Sequence, residues 1–395
     1  MKAGIDLGTS YSSICIINHE GKAEPVYVKT DISVFGDNYS LPSAVYIDHG
    51  NIIVGQAAIN SRMKNPENFK SEFKRDLGQD IPYYLDNRQL LPQDLYREVF
   101  SHLKQCAESY AGESIELACI THPANYNDRK KELVKTAAKK AGILNVELID
   151  EPTAAALHYF SGKNISEGNR LLVYDFGGGT FDAALIEYKK GRFDSITPSL
   201  GVECGGIDID RVIFDDLSKT FDIGKNEGLK LTPLNLKRFK AKLIEMSVKA
   251  KHHLSSAENF TEDIEVHLDF IPYLLNRDHF NIMISGFIDQ TISCVNLIVQ
   301  NAGMKLNEIN TVLLVGGTSR IPLVRERLRQ SSDKNLHVDV NPEMAVSMGA
   351  ALWAKQQGNK KTAAKPCFCI YCGLKHSTAD RYCIRCGKKN ESYIG

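Results

Sequence analysis

Two stretches of this 395-residue chain carry residues suited to phosphate chemistry. In AGIDLGTSYSSICII an apolar strand reaches Asp6, a turn holds Gly8, Thr9 and Ser10, and a second apolar strand leaves. LLVYDFGGGTFDAALIEY repeats the plan, with Asp175 before a turn of Gly177, Gly178 and Gly179, then Thr180 and a strand carrying Asp182. Glycines let backbone N–H groups approach phosphate oxygens, and the Thr and Ser hydroxyls add donors. An aspartate beside each turn can hold magnesium through its water shell. One such hairpin is an ordinary glycine turn. Two with the same aspartate point to an internal duplication whose halves face one nucleotide. Asp175 and Asp182 are expected at opposite ends of the second hairpin, where either can orient or deprotonate an attacking water, Asp175 being the preferred base.

A second set is metal-binding in type. Cys369-Ile-Tyr-Cys372-Gly and Cys383-Ile-Arg-Cys386-Gly are two knuckles whose four thiolates suit one tetrahedral, structural zinc. Four thiolates leave no open position for a reacting water. Cys367 is a fifth thiol that either exchanges with Cys369 or lies idle, and His376 reads as a loop residue.

These residues need elements to place them. SIELACITHPANY reads as a strand broken at Pro123, and NDRKKELVKTAAKKAG as a helix with Leu133, Val134, Ala137, Ala138 and Ala141 on one face, ending at Gly142. VELIDEPTAAALHYF runs from strand to helix, with Glu151 exposed at the junction and Pro152 in the first helical position. TVLLVGGTSRIPLVRERLR is a buried strand, a Gly316-Gly317 turn and an amphipathic helix, aiming a third glycine turn at the same crevice. Strands alternating with helices give an α/β protein with ligands at the carboxyl ends of the strands.

Composition agrees. Apolar residues are 43% and charged residues 24%, the balance of a globular protein of two or three domains. A formal net charge of zero gives no overall pull toward nucleic acid or anionic membrane. No segment reads as a membrane span of about 18 apolar residues, so a cytoplasmic location without membrane partners is expected. Cys15, Cys106, Cys119, Cys204 and Cys294 sit among apolar neighbours and read as buried reduced thiols.

The ordered set GIDLGTSYS, KRDLG, DEPTAAA, YDFGGGTFD, GGIDID, LVGGTSRIP and VNPEMAVSMGAA resembles the nucleotide-binding domain of the 70-kilodalton heat-shock protein (DnaK-type) family over about residues 1 to 356. The resemblance implies an actin-like ATPase fold of two duplicated lobes around a nucleotide cleft, lobe I at 1–169 and lobe II at 170–357. It implies that Gly8, Thr9, Ser10 and Tyr11 meet the β- and γ-phosphates from one lobe and Gly178, Gly179 and Thr180 from the other. Asp6, Asp175 and Glu151 would surround the hydrated magnesium, and Lys74 would be the catalytic lysine, with Thr180 beside it. Gly177, Asp182, Gly205, Gly206, Gly316, Gly317, Thr318 and Glu343 would complete the ATP/ADP site.

At the nucleoside end Lys251, Ser255, Gly317 and Arg320 match the family. His252 stands where an arginine is usual and Val248 where an acid is usual, which implies weaker grip on the base. Pro123 matches the family's route for passing nucleotide state outward, in the altered context THPANYN, and Lys131 stands where an arginine is common. After GAALWAKQQG, family chaperones continue into a peptide-binding β-sandwich; here NKKTAAKP reads as a flexible linker (358–366) to a zinc ribbon (367–390).

The expected protein is therefore a slow, magnesium-dependent ATPase without the peptide-binding domain. An unknown protein partner or a co-chaperone would dock at the ribbon or lobe I. From Gly358 onward eight Lys or Arg face two Asp or Glu, so nucleic acid or an acidic partner is accommodated only at this tail. Two rivals stay open: a small-molecule kinase on the same fold, and a regulatory protein or polymer that holds nucleotide with little hydrolysis.

Overall fold

The computed structural model describes residues 1–28, 38–221, 231–266, 269–331, 336–338, 342–362, 367–368 and 375–376. Two sheets dominate them. In the first, Lys2–Leu7 pairs antiparallel with Tyr11–Ile17 and parallel with Leu117–His122, which pairs parallel with Val146–Asp150. Ala23–Pro25 and Leu41–Pro42 both add to Tyr11–Ile17.

The second sheet repeats this order. Arg170–Phe176 pairs antiparallel with Phe181–Lys189 and parallel with Thr311–Val315, which pairs parallel with Leu336–Val338. Arg192–Ser195 and Leu200–Val202 both add to Phe181–Lys189. The duplication seen in the two hairpins thus extends to whole sheets. In each, the central strand delivers its aspartate and glycine turn to the carboxyl edge, where ligands of parallel sheets bind.

The expected elements between the hairpins form. The strand Leu117–His122 stops before Pro123, which lacks an N–H to continue a ladder. The helix Asp128–Lys140 starts where the Asn127 side chain accepts the Lys130 N–H, buries Val134, Ala137 and Ala138, and ends with Gly142 at φ +86°.

Each lobe has its own core, one around Phe73, Tyr96 and Phe100, the other around Tyr174, Phe176 and Phe181. A third core joins them. It combines Leu117 and Cys119 of the first sheet with Leu171, Val173 and Leu313 of the second, through Ala154–156 and Val346, Ala350 and Ala354. These last two groups lie on the helices Glu151–Phe160 and Pro342–Thr362, which cross at close range. A Cβ on Gly349 would sit inside the Ala154 carbonyl, and one on Gly4 would strike the Ala351 backbone, so small residues let the elements meet. The helix Pro342–Thr362, the last among the described residues, therefore packs on the first sheet. It runs to Thr362, into the segment read as a linker.

Three expectations need correction. Pro152 occupies the second helical position, because Glu151 already opens the helix. Cys106 and Cys294 are only half-buried, unlike Cys15, Cys119 and Cys204. The helix Arg277–Asn301 is long and apolar enough to cross a membrane by length and composition, which the search for an apolar run missed. Its stripe Phe280, Ile284, Ile288, Val295 and Ile298 lies in the second lobe's core, the arrangement of a core helix. Cys369, Cys372, Cys383 and Cys386 lie outside the described residues.

Candidate functional site

The two glycine turns touch. Cβ atoms on Gly178 and Gly179 would collide with the Ser10 and Thr9 side chains, so only glycine lets the second turn sit on the first. Gly205 lies directly behind, where a Cβ would meet the Gly178 carbonyl. The N–H groups of Gly206 and Ile207 donate to the carbonyls of Gly177 (3.0 Å) and Gly178 (2.9 Å), so the start of the helix Gly206–Thr220 braces the turn. Thr318 Oγ1 donates to the Gly177 carbonyl from the third turn at 2.8 Å. That third turn is sharp enough to need Gly316 at φ +79°.

Around this contact lies a cleft of about 1130 Å³. Its walls include Asp6, Gly8, Thr9, Ser10, Tyr11, Lys74, Glu151, Asp175 and Gly177–Thr180 at one end. Lys251, His252, Ser255, Gly316, Gly317, Thr318 and Arg320 line the other. The expected phosphate and nucleoside residues are thus brought into one space. Asp182, Gly205 and Gly206 stand behind the walls. The Glu343 side chain lies outside the described part of the structure.

Charge is concentrated at the phosphate end. Lys74 Nζ donates to Glu151 Oε1 at 2.8 Å, and both side chains are buried. Glu151 was expected to be exposed; its strand-to-helix junction instead lies at the meeting of the lobes, at 6% exposure. Thr121 Oγ1 donates to Asp6 Oδ1 at 2.7 Å. Asp175 and Asp182 are not at opposite ends of their hairpin but directly paired across it, which corrects the sequence reading.

The carboxyls pay for this crowding in protonation. Burial, then Glu151, pushes Asp6 up to about 6, and the same two causes push Asp182 up to about 7. Burial, then Glu151, Asp182 and Asp6, holds Asp175 well above the carboxylate range. For Lys74, burial works downward, but Glu151, Tyr126 and Asp6 outweigh it and keep the ammonium charged. At the other end, His252 is open to the cleft. Loss of solvent there, with Lys251 and Arg320 nearby, pushes its imidazole down to about 4, so it is neutral at pH 7.

A divalent cation fits this donor set. Asp6, Glu151 and Asp175 all line the cleft, and the repulsion among them, which raises Asp6 and Asp175, is what a cation would relieve. Magnesium keeps most of its water shell, so these carboxylates would hold it through water; no three His, Cys, Asp or Glu among the described residues converge for direct ligation.

The raised Asp182 has a stability consequence. A carboxyl whose pKa is higher folded than unfolded opposes folding in full above its folded pKa; the penalty shrinks as pH falls through that value and is gone only below the unfolded pKa. In EDTA without nucleotide, Asp182→Asn should therefore melt above wild type at pH 8. The gap should be a few kcal/mol, since each tenfold change in proton affinity is worth about 1.4 kcal/mol, and it should shrink between pH 8 and 6. Equal melting at both pH values would contradict the assignment.

Sequence reasoning missed Arg75. Its guanidinium donates to the Gly179 carbonyl at 3.1 and 2.6 Å and grips Asp208 in a forked pair, tying the first lobe to the second lobe's phosphate turn. Its place in KRDLG and the acids of GGIDID were the available signals. Lys251 Nζ similarly joins Asp210 at 2.8 Å and the Gly206 carbonyl at 3.1 Å. Ser13, Ser40, Arg325, Glu326 and Arg329 also line the cleft and were not anticipated.

Comparison with protein families agrees with this geometry. The family described as Hsp70 protein matches residues 2–85 and 81–364. The chain belongs to the Hsp70 family, and the match corresponds to that family's nucleotide-binding ATPase domain, of the actin-like fold.

Proposed function

We propose that this Hsp70-family chain binds ATP across the two glycine hairpins and hydrolyses it slowly, turning nucleotide state into a lobe movement read by a partner protein. The observation that carries the reading is the buried Lys74–Glu151 pair between Asp6 and Asp175, at the point where the hairpins meet. Phosphoryl transfer needs little covalent work from a protein; positioned cations and donors stabilise charge as it develops.

Each group has a role in this reading. Backbone N–H groups and hydroxyls of Gly8–Tyr11 and Gly178–Thr180 hold the β- and γ-phosphates. Lys74, charged and fixed by Glu151, stands by the transferred group. Asp175 faces the cleft and accepts the proton of the attacking water; burial, then Glu151 and Asp182, raise its basicity. Magnesium, held through water by Asp6, Asp175 and Glu151, would neutralise phosphate charge. Lys251, Ser255 and Arg320 hold the nucleoside, and the neutral His252 gives a weaker stacking surface than arginine.

Product identity tests the reading. With γ-labelled ATP, label should appear as inorganic phosphate whether or not sugars or carboxylic acids are added. Label on an added acceptor would favour a small-molecule kinase; bound, intact ATP would favour a regulatory binding protein.

The tail is the second part of the proposal: Cys369, Cys372, Cys383 and Cys386 hold one structural zinc, and the ribbon docks a partner. Its support is the two C-x-x-C-G knuckles. Metal analysis should give one zinc per chain, lost in Cys383→Ser. A wild-type preparation that folds without zinc would remove the ribbon from the account.

A further inference from the structure

A second, smaller cavity of about 80 Å³ adjoins the phosphate end of the cleft. Thr9, Lys74 and Thr180 line both spaces. They form a shared wall, with the cleft on one side and on the other a pocket closed by Arg75, Pro123, Tyr126 and Lys130. The volume suits a few water molecules or one small oxyanion.

The pocket has an anion's chemistry. Lys74, Arg75 and Lys130 bring three cations to it, against one carboxylate, Glu203. Lys74 and Arg75 already neutralise Glu151 and Asp208. Lys130 makes no ion pair among the described residues; its ammonium lies over the Tyr126 ring, 5.1 Å from the centroid. Thr9, Thr180 and Asn125 add neutral donors, and Asn125 is exposed at the outer side. A tetrahedral anion would find donors on several sides and solvent beyond Asn125.

We propose that this pocket is a binding site for inorganic phosphate, which passes the Thr9–Lys74–Thr180 wall after cleavage and leaves on the Lys130 side, away from the nucleoside mouth. The site rests on the hydrolytic reading for the origin of its phosphate. No covalent step occurs in it: phosphate enters already formed.

Inorganic phosphate, titrated into wild type, Lys130→Ala and Asn125→Trp loaded with magnesium-ADP, tests the site. Lys130→Ala should weaken phosphate binding roughly tenfold, and Asn125→Trp, which fills the pocket, should weaken it at least as much. ATP affinity should stay within about twofold in both, since neither residue lines the cleft. Equal phosphate affinity in all three proteins would overturn the proposal, as would an equal loss of ATP and phosphate affinity. If wild type bound neither ADP nor ATP, the hydrolytic reading would fall instead. The same titration without nucleotide would then decide the pocket by the same comparison of variants.

Discussion

Lys74→Ala should lower ATP turnover by about two to three orders of magnitude, the usual effect of deleting one group that stabilises the transition state. ATP binding should change much less, because the hairpin backbones, Lys251 and Arg320 remain. The variant should also be less stable without nucleotide. Removing the ammonium leaves the Glu151 carboxylate buried beside Asp6 and Asp175, and breaking a buried pair from one side typically costs about 3–5 kcal/mol. The double variant Lys74→Met, Glu151→Leu should recover much of that stability and none of the turnover. If Lys74→Ala turned over ATP as fast as wild type, Lys74 would be a structural residue only. If the double variant were as unstable as the single one, the buried charge would not be the cause of the loss. Urea denaturation and a coupled ADP assay separate the two effects.

Gly349→Ala should be the most damaging single methyl group in the fold. Its Cβ would penetrate the Ala154 carbonyl, where the helices Glu151–Phe160 and Pro342–Thr362 cross in the third core, so backbone must shift to admit it. Overpacking a tight core costs typically about 1–3 kcal/mol, and a backbone-to-backbone clash belongs at or above the top of that range. Gly286→Ala supplies the contrast. That glycine is inside the helix Arg277–Asn301 with open space around its would-be Cβ, so alanine should stabilise the chain by up to about 1 kcal/mol. Denaturation midpoints of the two variants should move in opposite directions. Because the Gly349 crossing joins the lobes, its loss should also loosen nucleotide binding, which calorimetry with ATP reads directly. Unchanged stability in Gly349→Ala would mean that the crossing yields to an added methyl group.

Parts of this site were legible in the sequence because their signals are local. A glycine turn between two apolar runs, with an aspartate in front, fixes a hairpin within about ten residues. The repeat of that unit exposed the duplication, and both hairpins form as read. Other features depend on chain crossings that no local pattern records. Lys74 and Glu151 are 77 positions apart, and their pairing exists only because the KRDLG turn folds over the junction before the helix Glu151–Phe160. Glu151 looked exposed because the rule for a helix-start acid takes no account of a second lobe covering it. Arg75 escaped notice for the same reason, since its partners Gly179 and Asp208 belong to the other lobe. The membrane-like composition of Arg277–Asn301 was missed because polar residues interrupt its apolar run; the buried stripe shows why the helix is so apolar. Small residues were an unused clue. Ala154–156 and Gly349 mark a close helix crossing, and Gly4 marks the strand beneath it.

The central claim is that water accepts the γ-phosphoryl group at the Lys74–Asp175 end of the cleft. Hydrolysis of magnesium-ATP in ¹⁸O-enriched water, with mass analysis of the phosphate formed, tests it most directly. The account predicts phosphate carrying one solvent oxygen, produced by wild type and reduced in Lys74→Ala to the level of buffer alone. No phosphate above that level from wild type, or phosphoryl groups found on another acceptor, would contradict it.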